Sequence, residues 1–499
     1  MDITKKYTLS REVEANEEIL STHISHRLSI VVCITFVLAV TSVPIVQILL
    51  KGMPKEWTDD GLRTSCYMEN TLTSHYQQLL TAALRSGNEK AIMGKEEGWL
   101  FYTPDVEHLL LPLQPQSVPC ILDMKRQLEA RGIRLVLLPT PLKPMICAHQ
   151  LTDKFQPGQL LMHPEYAAWA EELRSHGITI VDPTQTLYTL NTTTPAFLRT
   201  DTHWTPEGMQ AAAAQLAQVL QEDGTLLQNQ SYSTMDSMVS HRGDIYTMLR
   251  LADDTDRIPP EEAGTKVVLD AAGSFHSRQR NAEILLLGDS FTNIYSVANM
   301  GWGRASGLAE QLSYLMQCPI DVISRNDGGS HSTRKMLCED MAKGNDRLAG
   351  KKVVVWQFAM RELSTGNWEP MMFQVGDAIE NPQYLVIGEG GSIATEATVA
   401  EVATIPHPST VTYEDHVVAV HLTDIEGHPG KEALVYMLAM EKRKLLPAAN
   451  IRPGDRIAVT LENWGAHETA EGTFNRSELE SDITFMAEPV WADLNNIKQ

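Results

Sequence analysis

Apolar and polar positions divide this chain into stretches of different character. Residues 1–27 are polar. Leu28–Leu50 (LSIVVCITFVLAVTSVPIVQILL) then carries no charge over 23 residues, a length that spans a bilayer core. It is too long for the apolar region of a cleaved signal peptide and lacks a polar face. The expectation is a membrane anchor. Lys5, Lys6, Arg11 and Arg27 precede it, and Lys51, Lys55 and Arg63 follow, a slight bias toward an inside N-terminus. Residues 51–95 are mixed and read as a stalk or the first helices of an outer domain.

From residue 96 to 370, helical and strand-like patterns alternate. VPCILDMKRQLEARG and EYAAWAEELRSHG have helical apolar spacing and end at Gly132 and Gly177. In TPEGMQAAAAQLAQVLQ, Thr205 reads as the N-cap and Pro206 as the first helical residue. The runs IRLVLLPTP, ITIVD, EILLLG, IDVIS and KVVVWQF read as buried strands. Such alternation implies an α/β domain, a parallel sheet flanked by helices. Over 371–499 the pattern becomes all-β: DHVVAVHLTD, EALVYMLAM and DRIAVTLEN are strand-like runs between turn-rich connections. A small β-sandwich or barrel is expected there.

Composition narrows the function. With 43% hydrophobic and 21% charged residues, the 499-residue chain is ordinary for a globular protein. A net charge of −22 argues against a nucleic-acid partner, although a local basic pocket can sit on an acidic protein. Outside the apolar run stand Cys66, Cys120, Cys147, Cys318 and Cys338; an oxidised domain can pair four and leave one thiol. Their spacing matches no metal site, and no strand ends in a Gly-rich nucleotide-binding loop. Neither a metal nor a soluble cofactor is expected.

One strand poses a chemical question. In ILLLGDSFTNIY a buried strand runs into Gly288-Asp289-Ser290. Ser290 then stands at the carboxyl edge of the sheet, where open α/β folds place their sites. It is either a nucleophile projecting into a cleft, with the first helical amides beside it, or an ordinary N-cap. A nucleophilic serine needs a base. Asp201 and His203 are two residues apart, so on an extended segment they leave the chain on one side. Asp201 can then orient the imidazole of His203 toward a serine. The other reading is a turn aspartate and a surface histidine. Trp204 either walls a pocket or packs in the core.

Gly288-Asp289-Ser290 resembles the nucleophile block of SGNH-type esterases, and Asp201-x-His203 resembles their Asp/His block, one residue shorter and placed before the serine. This order, the tetrapeptide Asp201-Thr202-His203-Trp204, the apolar N-terminal run and EEGWLFY (96–102) resemble the bacterial alginate O-acetyltransferase family of the AlgJ/AlgX type. LLPTPLKP (137–144) and VVVWQFAMREL (353–363) resemble further segments of it.

The resemblance implies an SGNH-like fold over roughly 95–370, with Ser290 as nucleophile, His203 as base and Asp201 as its orienter. It implies two-step transfer of acetyl groups to hydroxyls of an exopolysaccharide, alginate or similar; the net charge of −22, ill-suited to a polyanion, makes a neutral glycan such as cellulose an alternative. It places the catalytic domain in the periplasm, anchored in the inner membrane by residues 28–50. The implied partners are a membrane-bound acyltransferase that supplies acetyl groups and other proteins of the exopolysaccharide machinery. Residues 371–499 are expected to be a carbohydrate-binding domain.

For the oxyanion, the Ser290 amide and Gly328 or Gly329 in SRNDGGSHS are candidates, the glycines being otherwise an ordinary loop. Asn326-Asp327 does not reproduce the esterases' Gly-x-Asn-Asp block. Lys143, Tyr295 and Arg361 are candidates for substrate binding, with surface solvation as the other reading. Two rival functions remain: a carbohydrate esterase using the same triad, and a non-catalytic polysaccharide-binding scaffold of the secretion machinery.

Overall fold

The computed structural model describes residues 30, 33–37 and 87–498, apart from breaks at 223, 225, 227–228, 250, 252–257, 378–382, 409–410, 412, 469, 480 and 482. Most of the expected anchor 28–50, and the stalk as far as residue 86, lie outside the described residues. Ile30 and residues 33–37 are helical. Among the described residues no helix is long and apolar enough to cross a membrane.

In chain order, β1 (Ala91–Met93) and β2 (Leu100–Tyr102) form a short antiparallel pair. Helix α1 (Ser117–Glu129) leads into β3 (Arg134–Thr140), and α2 (Tyr166–Ser175) into β4 (Thr179–Ile180). Helix α3 (Pro206–Gln221) begins as its sequence predicts: Thr205 is the N-cap and its hydroxyl accepts from the Gly208 amide at 3.1 Å. An antiparallel pair, β5 (Ser233–His241) and β6 (Glu261–Leu269), encloses the short helix α4 (Asp244–Met248). Then come β7 (Ile284–Gly288), α5 (Ser290–Asn293), α6 (Leu308–Met316), β8 (Asp321–Ser324), α7 (Ser332–Ala342) and β9 (Val353–Ala359).

Five of these strands form one sheet in the order β4-β3-β9-β7-β8, and every pairing is parallel. The expected parallel sheet is therefore present. Every residue of β7 and β9 is buried, which explains their unbroken apolar runs: strands covered on both faces have no polar side to alternate with.

The C-terminal strands are β10 (Ser392–Val402), β11 (His416–Thr423), β12 (Ala433–Glu441), β13 (Lys444–Leu445), β14 (Arg456–Asn463), β15 (Asn475–Ser477) and β16 (Pro489–Lys498). Their sheet runs β13-β12-β16-β14-β10-β11-β15, and β12 also pairs with β11. That extra pairing closes β12, β16, β14, β10 and β11 into a barrel, which removes their free edges. Of the two architectures expected, the chain forms the barrel. Its core, from Tyr384 to Ala492, is separate from the α/β core between Trp99 and Phe373. Cys120, Cys147 and Cys318 are buried and Cys338 half-buried, all as free thiols, so no disulfide joins these four.

Candidate active site

The serine is delivered by the turn after β7, and Asp289 holds that turn. Asp289, not Ser290, is the N-cap of α5: its Oδ1 accepts from the Phe291 amide at 2.9 Å. Its Oδ2 accepts from the Ala359 amide at 2.8 Å, and its own amide donates to Gln357 Oε1 at 2.9 Å. The turn is thus tied to the end of β9, and the Ser290 hydroxyl is left for chemistry.

His203 meets it from 87 residues away. Its Nε2 lies 2.8 Å from Ser290 Oγ, and its Nδ1 lies 2.6 Å from Asp201 Oδ1. All three side chains are buried. The expected extended segment is not what aligns Asp201 with His203. Phe197 pairs with Trp204, and the Leu198 amide donates to the His203 carbonyl, so residues 198–203 form a tight loop. Within it Asp201 Oδ1 also accepts the His203 amide at 3.1 Å, an aspartate bonding its own backbone two residues on. Trp204 is fully buried, edge-on to Phe291 at 5.3 Å; it packs in the core.

Two groups that the sequence did not single out complete the arrangement. Trp302 Nε1 donates to Asp201 Oδ2 at 2.8 Å, and the Asp244 amide donates to the same oxygen at 3.0 Å. The Asp244 carboxylate stands 3.8 Å from His203 Nδ1 and accepts from the Thr202 amide at 2.7 Å and from its hydroxyl. Gly243 before it has φ +79°, and a Cβ there would lie 2.4 Å from the Thr200 carbonyl oxygen. Only glycine lets α4 start so close to the Asp201 loop. The signal available in the sequence was the Gly-Asp pair ahead of a short apolar run.

The electrostatics follow. Burial alone would raise the Asp201 carboxyl, but the His203 charge and the hydrogen bonds from His203 and Trp302 hold it well below the usual carboxylate range. Burial would lower His203; Asp201, and then Asp244, outweigh it and raise its pKa. Burial and the neighbouring Asp201 charge push Asp244 up to about 6. Asp201, His203 and Asp244 lie close enough to share a cation. Both His203 nitrogens are engaged by Asp201 and Ser290, however, so the set serves proton transfer better than metal ligation.

The three groups open onto a cleft of about 310 Å³. Gly328 and Arg361 line it, as does Asn326. Asn326 Oδ1 accepts from Asn293 Nδ2 at 2.9 Å, which turns its own amide nitrogen away from Asn293. Gly329 instead packs on the turn, where a Cβ would lie 2.8 Å from Asp289 Oδ2. Arg361 is held by Asp105 Oδ1 at 2.8 Å.

Lys143 and Tyr295 stand outside the cleft. Burial lowers the Lys143 pKa to about 8, and its Nζ donates to the carbonyls of Leu100 (2.6 Å) and Arg199 (3.0 Å). It ties β2 to the Asp201 loop. Tyr295 is fully buried, and its hydroxyl donates to the Trp204 carbonyl at 2.7 Å. The barrel, in contrast, reaches the cleft with Tyr413, Glu414, Asp415, Phe474 and Asn475.

The parallel α/β sheet, with a serine at a strand end, a histidine on its hydroxyl and a buried aspartate behind the histidine, is an SGNH-like fold. Residues 92–360 match the family described as SGNH hydrolase-like domain, acetyltransferase AlgX. The chain belongs to that family.

Among its relatives, the probable alginate O-acetylase AlgJ of Pseudomonas aeruginosa is 28% identical over 292 residues, covering 56% of this chain and 71% of the relative. That of Pseudomonas fluorescens is 27% identical over 268 residues, covering 51% and 62%. Solved structures similar to it include the O-acetyltransferase domain of Pseudomonas putida AlgJ (22% identity, TM-score 0.44, 56% of this chain and 93% of that one). Pseudomonas aeruginosa AlgX is another (14% identity, TM-score 0.46, 76% and 93%).

Proposed function

We propose that the protein is a polysaccharide O-acetyltransferase working through an acetyl-serine intermediate. The observation that carries this reading is His203, bonded at once to Asp201 (2.6 Å) and to Ser290 (2.8 Å). Ser290 Oγ attacks the acetyl carbonyl carbon, and His203 Nε2 takes its proton. The new C–Oγ bond forms, the bond to the donor's leaving group breaks, and His203 returns the proton to that group. A sugar hydroxyl then attacks the acetyl-enzyme; His203 removes its proton and passes it to Ser290 Oγ. The Ser290 amide, at the first residue of α5, has no acceptor within the helix; with Gly328 or Asn326 it serves the oxyanion.

The acceptor is an exopolysaccharide, the class to which the alginate in the relatives' names belongs. The apolar run 28–50 anchors the chain in the inner membrane with this domain in the periplasm. There it receives acetyl groups from a membrane-bound acyltransferase and works beside other proteins of the export machinery.

The test uses the full chain with a reactive acetyl ester and oligosaccharides, followed by mass spectrometry. Acetyl on the Ser290 peptide and on sugar, both lost in Ser290→Ala, is the expected result. Serine-dependent free acetate with every acceptor would make the protein an esterase. Serine-independent products would end the catalytic reading.

A further inference from the structure

The cleft around Ser290 has an unusual charge balance for a family named after a polyuronate. Besides Asp201, which is paired with His203, four carboxylates line it without an ion pair to lysine or arginine among the described residues: Asp244, Glu362, Glu414 and Asp415. Apart from the titratable His203, 3.8 Å from Asp244, their partners are neutral. Glu362 accepts from the Ser330 hydroxyl at 2.6 Å and Glu414 from the Thr247 hydroxyl at 3.4 Å. Asp415 accepts from the Lys442 amide at 2.9 Å and Asn299 Nδ2 at 3.4 Å, and Asp244 from Thr202.

Arg361 is the guanidinium of the lining, and Asp105 already neutralises it at 2.8 Å. Asp327, also in the lining, is matched by Arg325 at 2.6 Å. His241 accepts the Gly243 amide on Nδ1 at 3.0 Å. A chain bearing one carboxylate per sugar would meet like charge here, with no free cation among the described residues of the lining to offset it.

The apolar part of the lining points the same way. Tyr413 and Phe474, both from the barrel side, face the cleft together with Tyr102. Aromatic faces offer the C–H face of a pyranose ring a surface that requires no charge, and carboxylates accept hydrogen bonds from sugar hydroxyls.

Resting on the acetyltransferase reading above, we propose that the acceptor is an uncharged hexopyranose polysaccharide. It is held between the Ser290 edge of the sheet and the barrel wall formed by Tyr413, Glu414, Asp415 and Phe474. The carboxylates take the hydroxyls of the sugar and exclude polyuronates, so the barrel selects the acceptor for the α/β domain's chemistry.

Binding separates this inference from catalysis. Full-length Ser290→Ala would be titrated calorimetrically with hexasaccharides of β-1,4-linked glucose, mannuronate and glucosamine, at low and high salt. The expected result is binding of the neutral oligomer at least tenfold tighter than the mannuronate oligomer, corresponding to about 1.4 kcal/mol, with little dependence on salt. The double change Glu414→Gln and Asp415→Asn should narrow that ratio by strengthening mannuronate binding.

Tighter binding of mannuronate, weakened by salt, would overturn the proposal, as would tightest binding of the glucosamine oligomer. Acetylation of Ser290 in the unmutated chain is read in parallel. If the neutral oligomer binds but no acetyl-enzyme forms, the transferase reading fails and the ligand class stands. If acetyl-enzyme forms and passes its acetyl only to mannuronate, the reverse holds.

Discussion

The indole nitrogen of Trp302 donates to Asp201 Oδ2 at 2.8 Å, on the side of the carboxylate turned away from His203. With the Asp244 amide on the same oxygen and His203 on the other, the buried Asp201 is satisfied on both oxygens. That is what allows a carboxylate 1% exposed to remain ionised and hold the imidazole in one tautomer. A hydrogen bond to a charged group contributes about 1.5–3 kcal/mol. Trp302→Phe keeps most of the ring and removes the donor. Ser290 acetylation should slow about 10- to 100-fold, measured by single-turnover kinetics with a reactive acetyl ester; an unchanged rate would show that Trp302 only packs.

His203 must be neutral to accept the serine proton, and its pKa is raised, Asp201 overcoming the effect of burial. Acetylation should therefore fail as pH drops through a value above the ordinary histidine figure of about 6.5. The Asp244 carboxylate, 3.8 Å from Nδ1, adds to the stabilisation of the imidazolium. Asp244→Asn removes that charge, lowers the His203 pKa and moves the acid limb of the pH–rate profile to lower pH. The profile of the variant from about pH 5 to 8 checks the sign; a limb that stays put would leave Asp244 a purely structural role.

The α/β core and the site differ in how far they could be read from the sequence. β7 and β9 were legible because strands buried on both faces are apolar throughout, and α3 because Thr205 and Pro206 mark its start. Ser290, Asp201 and His203 were legible because each motif carries its own local geometry. Trp302 and Asp244 were not: their role is to bond Asp201 from 101 and 43 residues away, and nothing in the neighbouring sequence records that distance. Lys143 and Tyr295 have side chains suited to binding substrate, but burial turns both toward backbone carbonyls. β5 was missed because its exposed side chains alternate with half-buried ones and none is fully buried, leaving no core stripe to detect. The barrel residues of the cleft were hidden for a third reason: only the approach of two separate cores brings them to Ser290.

Gly288 offers a test of how sharply the turn is set. A Cβ at this position would lie 2.1 Å from Thr292 Oγ1 and 2.7 Å from its Cβ, inside the turn that carries Ser290. Thr292 cannot simply swing away, because its hydroxyl donates to Gln357 Oε1 at 2.9 Å, the atom that also takes the Asp289 amide. Gly288→Ala should therefore displace the serine. A misplacement of about 1 Å costs about 100-fold in rate, and overpacking costs about 1–3 kcal/mol of stability. Single-turnover acetylation and thermal unfolding measure the two effects; an alanine variant with full activity would mean that the turn tolerates the crowding.

Stability should depend on a buried charge cluster beside the nucleophile strand. Asp321, at the start of β8 and paired with Leu285 of β7, accepts from Arg347 at 2.6 and 2.8 Å and lies 3.0 Å from Lys351. Arg347 also reaches Asp340 at 2.9 Å and, at 3.7 Å, Glu468 from the C-terminal region. Asp321→Ala would strand two cations in the interior with their central partner gone. Burial already lowers the Lys351 pKa despite Asp321, so without the aspartate this ammonium becomes harder still to keep charged. Removing one partner from a buried pair typically costs about 3–5 kcal/mol, against a domain stability of about 5–15 kcal/mol. Chemical denaturation of the variant should show a loss of that size, whereas Asp321→Asn, which can still accept from Arg347, should lose less. Equal losses in the two variants would mean that the charge, not the hydrogen bonding, stabilises the junction between β7 and β8.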